Sequence, residues 1–404
     1  MDLIKKISQI PNIIKQSAIH KFEKKHYQSK IHPSGFDLSI HSATLKELKN
    51  TILTQLVHHK ITLSVLSTDE QNLINQLKKK VTLANQNNVT RTNAYFQIYE
   101  NHPELHWALL AHLVSRNGGW NMTDLQGGLT DVLTSERQKA FFMFLESANA
   151  LIFYDAYPQL LLYEESKKQK KNLFHLLPHF HVSSFMKPIW DHFFISNESN
   201  LITVALIINE QHYIESRIIQ NSYYKEHVLD TLLFQAQELF QMTQVLFPFQ
   251  YKKKKTRLAG FSLADFASVY KRIQFGKKLY AMLFGISPLY DNIYTFAKEN
   301  RHTGSRSDYW PTTFSTRNDD STKGGTSCGL RERMYSPSLE DAWADVHHTF
   351  TNYRDWYSPG NSDVFSFFNQ SDIPHSFDIT ADYCRSLQKL YVASLAYKKT
   401  EKWL

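Results

Sequence analysis

Residues 102–128 read HPELHWALLAHLVSRNGGWNMTDLQGG, which sets Glu104, His106, His112, Arg116 and Asn117 into an otherwise apolar stretch. Polar groups withdrawn from water cost free energy unless they are paired, so this stretch needs either a structural network or a working site. In the working-site reading, Glu104 acts as a general acid or base, His112 shuttles a proton and Arg116 clamps an anionic group. Three further segments have comparable chemistry. RTNAYFQIYE offers Arg91 and Tyr95 one helical turn apart. NEQHYIESR offers Asn209, Glu210, His212 and Glu215, with Glu210 a second general acid or base. ENRHTGSRSDYW offers Arg306, whose planar fork among Thr, Gly and Ser suits a phosphate or carboxylate.

Candidate catalytic residues are therefore Glu104, His112, Glu210 and His212, and candidate ligand-binding residues are Arg91, Arg116, Asn117, Asn121, Asp124 and Arg306. The implied ligand is an anionic small molecule. No metal site is expected: Glu299 and His302 match half of a di-iron helix motif without a second copy, and Pro178 interrupts the His175, His179, His181 group. No Walker loop, nucleophile elbow or His-Glu-x-x-His string occurs, so the sequence implies no particular cofactor.

Pro103 near the start and Gly118 past the end predict a helix of about 15 residues over 102–117. Its leucines, Val114 and Trp107 wrap more than half of the circumference, leaving a narrow face of Glu104, Ala108, Ala111 and Ser115 flanked by His112 and Arg116. NGGWNMTD then reads as a turn whose free backbone N–H groups could meet an anion, with Asn121, Thr123 and Asp124 able to cap it.

The same strings resemble a bacterial family, domain of unknown function 2515, from Bacillus-type Gram-positive bacteria. RTNAYFQIYENHPELHWALLAHLVSRNGGWNMTDLQGG, FLESANALIFYDAYPQLLLYEES, LFHLLPHFHVS, LIINEQHYIE and HTGSRSDYWP occur in that family's order over about residues 85–360. The resemblance implies a cytoplasmic protein and names no activity. Residues 1–80 and the polar loop after Trp310 lie outside it.

The 404 residues, 42% hydrophobic and 14% aromatic, suffice for a large core. Periodicity places two helices before residue 85 and keeps the pattern helical through residue 163, with Pro158 as a break. Helices follow over residues 185–196, 200–221, 225–247 and 262–285, with another leading to Asn300, then over 339–357 and about 378–397. No strand is predicted. In the helix at 339–357, Trp343, His347, Phe350 and Arg354 share one stripe. The fold class is all-α: one large irregular helical domain over 86–404, a basic helical region over 1–85 packed on or flanking it, and a long polar loop near 303–337.

Residues 1–90 hold 13 Lys, no Arg and 6 acidic residues, so most of the chain's +8 net charge lies there. That asymmetry fits a solvated face, or a nucleic acid or membrane surface met through residues 1–30. Docking of this arm on its own domain is the favoured arrangement. No apolar run approaches the roughly 18 residues that span a bilayer, and lysines interrupt the isoleucines at the amino terminus, so a cytoplasmic location is expected. Cys328 and Cys384 are too few for a disulfide framework, which fits a reducing compartment. The opposing reading to a ligand site is an interaction protein whose buried polar residues only fix helix order.

Overall fold

The computed structural model describes residues 10–29, 31–58, 66–130, 133–231, 243–251, 255–318, 328–330, 332–351, 353–358, 362–369 and 371–400. The long helices are α1 (Ile10–Gln28), α2 (Ser42–His58), α3 (Thr68–Ala84), α4 (Asn88–Asn101), α5 (His106–Asp124), α6 (Ser135–Gln169), α7 (Met186–Ser196), α8 (Ser199–Ile214), α9 (Val269–Gly285), α10 (Leu289–Glu299) and α11 (Thr380–Thr400). The fold is predominantly α. Local signals fix several starts. Reciprocal capping boxes open α3 (Ser67 with Glu70) and α4 (Asn87 with Thr90), each satisfying two N–H groups that a helix end leaves free. Thr134 and Ser268 cap α6 and α9 in the same way, from one side.

Helix α5 differs from its expectation: it runs through the Gly118, Gly119 pair to Asp124 instead of turning there. The glycines serve close packing. A Cβ on Gly119 would lie 2.4 Å from Asn88 Oδ1 and 2.6 Å from His302 Nε2, so only a bare backbone lets α4 and the chain after α10 approach. The N–H groups of NGGWNMTD are thus inside a helix, and the expected anion-binding turn is absent.

Two strands, β1 (Gln244–Tyr251) and β2 (Lys255–Ser262), pair antiparallel with Gln244 opposite Ser262 and Tyr251 opposite Lys255, where the sequence predicts no strand but the end of a helix at 247 and a loop from Pro248. The middle of each strand is buried on both faces, so the alternation that marks a strand is missing, and a short continuous apolar run reads equally well as helix. Residues 232–242, part of the helix expected over 225–247, lie outside the described residues.

Helix α1 docks on this hairpin. Tyr27 lies 5.0 Å from the Phe249 ring and 5.7 Å from that of Tyr251. Glu23 accepts from Lys255 Nζ at 2.7 Å and from Arg257 Nη1 at 2.6 Å, while Arg257 Nε holds Asp378 at 2.7 Å just before α11. Lys15, Lys21 and Lys25 stay exposed.

The expected helix over 339–357 is only Leu339–Ala342. Beyond it an irregular chain lies along α6, because anchors at tertiary distance win over helical spacing. Trp343 stacks on Phe142 at 4.1 Å and donates to the Met122 carbonyl at 2.8 Å, and Phe350 packs on Tyr154 at 4.4 Å. The polar loop also contributes to the core: Tyr309, Trp310, Phe314, Cys328 and Leu330 are buried with Trp120 and Tyr383. There Cys328 and Cys384 form a disulfide across 56 residues, which removes cysteine usage as an argument for a reducing compartment. Among the described residues no helix is long and apolar enough to cross a membrane.

Candidate functional site

The structure separates the candidate residues into several buried settings around α5. At its C-terminal end Arg306 is a saturated clamp. Its Nε reaches both Asp124 oxygens at 2.9 and 2.8 Å, and Nη2 reaches Asp124 at 2.7 Å and Asn121 at 3.1 Å. Nη1 donates to the hydroxyls of Tyr309 and Tyr383 at 3.0 and 2.8 Å. Burial opposes the charge, but Asp124 and the two phenols hold the guanidinium's pKa well above its ordinary value. The crevice beside the clamp measures about 10 Å³, room for one water and not for a phosphate.

About two turns back, Arg116 is fully buried, donating from Nη2 to the Asn300 carbonyl at 2.9 Å beneath the rings of Trp120 and Phe296. Its Nε and Nη1 have no protein partner, and burial pulls its pKa down to about 10. His112 bonds through Nδ1 to the Thr92 carbonyl at 2.8 Å, and burial, with Arg116 nearby, holds it neutral. His302 bonds Asn88 at 3.0 Å and lies 3.3 Å from Asp308. Asn117 clasps β1, donating to the Leu246 carbonyl and accepting from its N–H, both at 2.9 Å.

The remaining candidates lie apart. Arg91 pairs with Glu146, which also meets His348 at 3.0 Å. Glu104 is partly exposed in the turn before α5. Burial works against its charge, but bonds from His102 and Tyr163 bring its pKa down to about 2. His212 stacks on Trp356 at 4.4 Å, and burial lowers it to about 4. Among the described residues no group of three or more His, Cys, Asp and Glu could hold a metal ion.

The concave feature is elsewhere on α5. A cavity of about 180 Å³ opens between α4, α5, α6, α8, β1 and α9, walled mainly by side chains such as Trp107, Leu110, Phe266, Phe275 and Leu279. Val114, 37% exposed, stands on its wall and marks the solvent side. Ala111 and Ser115 of the expected small-residue face do line it, and so do Tyr95 and Glu210, whereas His112, Arg116 and Arg306 do not. Glu210 is mostly buried and lines this space. Burial pushes it up to about 8 against hydrogen bonds from Gln211 and Trp107.

Sequence reasoning missed Arg272, also on the wall. Its Nε donates to Gln211 at 2.8 Å, Nη1 to the carbonyls of Phe266 and Ala267 at 2.7 and 3.2 Å, and Nη2 to Glu215. Of a buried polar chain that continues from Asn209, sequence reasoning named only that residue. Trp356 donates to Asn209 at 2.8 Å, Asn209 to Asp155, Gln159 to Asp155 at 3.0 Å, and Trp190 to Gln159 at 2.8 Å. Burial raises Asp155 to about 7. A period-3.6 spacing of Asp155 and Gln159 was the only local signal for it.

No solved structure matches the chain. It is 36% identical over 334 residues to the "Uncharacterized protein YppC" of Bacillus subtilis (strain 168), covering 82% of this chain and 96% of that relative. The family described as "Protein of unknown function (DUF2515)" matches residues 83–383, a span that runs through the polar loop which the recognisable strings left out. With that span across the cavity and the clamp, the chain belongs to the DUF2515 family.

Proposed function

We propose that this protein binds a small, largely apolar molecule in the cavity walled by α4, α5, α6, α8, β1 and α9, with Glu210 as its polar anchor and as a proton donor should chemistry follow. The observation that carries this reading is the cavity itself: about 180 Å³ of apolar-walled space with Glu210 on its wall. Apolar pockets with a few convergent polar groups are the usual form of small-molecule sites, and a raised carboxyl in one suits acid chemistry near neutral pH.

The test is a nuclear magnetic resonance titration with toluene, following the Trp107 indole N–H. A saturable shift that Ala111→Trp abolishes, in a variant that keeps its far-ultraviolet dichroism, supports the reading. No saturable response in the parent protein overturns it.

A second reading draws on Arg306, whose donors all meet protein acceptors. In it the buried polar residues fix helix order, and the exposed Lys15, Lys21 and Lys25 of α1 meet an anionic partner. Deleting residues 1–30 then weakens retention on an anionic column, whereas the cavity reading leaves toluene binding to that deletion unchanged.

A further inference from the structure

The outer face of α1 follows from helical spacing. Lys15, Ala18, Lys21, Phe22 and Lys25 fall within one arc of about 120° on a helix of 3.6 residues per turn, and all five are exposed. His20, Glu23 and Tyr27 fall on the other side and are spent on the domain. Tyr27 packs on the rings of Phe249, Tyr251 and Phe377, and His20 is buried beside Cys384. Glu23, the only acidic residue in α1, pairs with Lys255 and Arg257. Docking therefore turns the helix's negative charge inward and leaves three ammonium groups around Phe22, which is 72% exposed.

We propose that this face seats the protein on an anionic lipid surface, with Lys15, Lys21 and Lys25 at the headgroups and Phe22 inserted between them. It rests on the second reading above, that α1 meets an anionic partner, and names the partner. Charge complementarity selects an anion-rich surface: each lysine near an anionic leaflet adds about fivefold in affinity. Phe22 selects among such surfaces. A benzyl side chain has no polar atom to offer a phosphate, but it gains by leaving water for the boundary between headgroups and acyl chains. The lysine stems are long enough to keep their ammonium groups at the headgroups while the ring lies deeper. A nucleic-acid duplex would use the lysines and leave the ring in water.

The geometry suits a plane. Lys15 and Lys25 stand ten residues apart on one side of the helix, about 15 Å along its axis, so a flat surface reaches both together with Phe22 between them. Helix α1 can meet that surface without leaving its dock, because His20, Glu23 and Tyr27 hold it from the opposite side.

Cosedimentation of the full chain with vesicles tests this, using equimolar phosphatidylglycerol and phosphatidylcholine against phosphatidylcholine alone, with a DNA duplex titrated in parallel. Only the anionic vesicles are expected to bind, and more weakly as salt rises. Lys15→Gln, Lys21→Gln and Lys25→Gln together should weaken that binding by about 100-fold, and Phe22→Ala by about tenfold. Phe22→Ala should leave retention on the anionic column unchanged, because the resin meets only charge. A charge-matched control at the end of α6, Lys168→Gln with Lys170→Gln and Lys171→Gln, should bind as the parent does. All the substituted residues are exposed, so each variant should keep the parent's far-ultraviolet dichroism.

If the control loses as much as the α1 lysine variant, net charge alone draws the chain to the vesicle and the proposal is overturned. Unchanged vesicle binding by Phe22→Ala overturns it as well. If vesicles do not bind while deletion of residues 1–30 still weakens column retention, or if DNA binds more tightly than the anionic vesicles, it is overturned and the second reading stands with a different anionic partner. If vesicles, DNA and column all ignore the deletion, the second reading itself has failed and takes this inference with it.

Discussion

Gly119 on α5 and Asn88 on α4 approach so closely that a Cβ on the glycine would sit 2.4 Å from Asn88 Oδ1. Asn88 is itself held, donating to the Ser115 carbonyl at 2.9 Å, so it cannot step aside without breaking a buried bond. Gly119→Ala is expected to lower stability by about 2 kcal/mol through overpacking, against the helix propensity that alanine gains. Gly118→Ala meets Asn149 side-chain atoms at 3.1 Å and should cost less. Urea midpoints of the two variants check the order.

Arg306→Lys replaces a fork by a point charge and leaves Asp124, Asn121, Tyr309 and Tyr383 short of donors. The expected loss is about 3 kcal/mol, the scale of breaking one partner out of a buried pair. Chemical denaturation measures it, and a variant as stable as the parent would show that the clamp is dispensable.

Asp155 and Glu210 set a pH dependence with a definite sign. Burial raises them from ordinary values of 3.8 and 4.5 to about 7 and about 8, so between about pH 4 and 8 the unfolded chain has released protons that the folded chain keeps. Their contribution therefore favours folding at the acid end and is lost as pH rises through the window. His106 and His212, which burial lowers to about 4, act oppositely below about pH 6.5, where the unfolded chain takes up protons first. Asp155→Asn and Glu210→Gln should each flatten the fall in thermal midpoint from pH 6 to 9 relative to the parent. An unchanged slope would place both carboxyls in water.

The Cys328–Cys384 disulfide closes a loop of 56 residues between the polar loop and α11. Chain-entropy bookkeeping assigns it about 4 kcal/mol through the unfolded state. Reduction should lower the thermal midpoint while Cys328→Ser, already lacking the bridge, ignores reductant. Alkylation before and after reduction, read by mass, establishes whether the purified chain holds the bond.

Much of the frame was legible because its signals are local. The Ser67, Glu70 capping box opens α3 and the apolar end of α8 places Asn209 and Glu210 together, whereas Pro103, expected in the first helical turn, sits in the bend before α5, which starts at His106. Errors arose where a local sign had two physical meanings. The Gly118, Gly119 pair marks close approach rather than a turn, and the stripe of Trp343, His347 and Phe350 is broken because Trp343 and Phe350 find partners on α6 in a non-helical chain.

By itself the sequence determined that the chain is mostly helical, that its polar chemistry gathers around residues 91–124, 209–215 and 299–308, and that it resembles one family, because periodicity, caps and unusual strings are properties of neighbours in the chain. Only the tertiary structure decided which of those groups are already spent. Arg306 is saturated by Asp124, Asn121 and two tyrosines, whereas Glu210 lines open space, and that distinction depends on side chains brought together from distant segments. A residue's type states what it can bond. Whether it has done so is settled by packing.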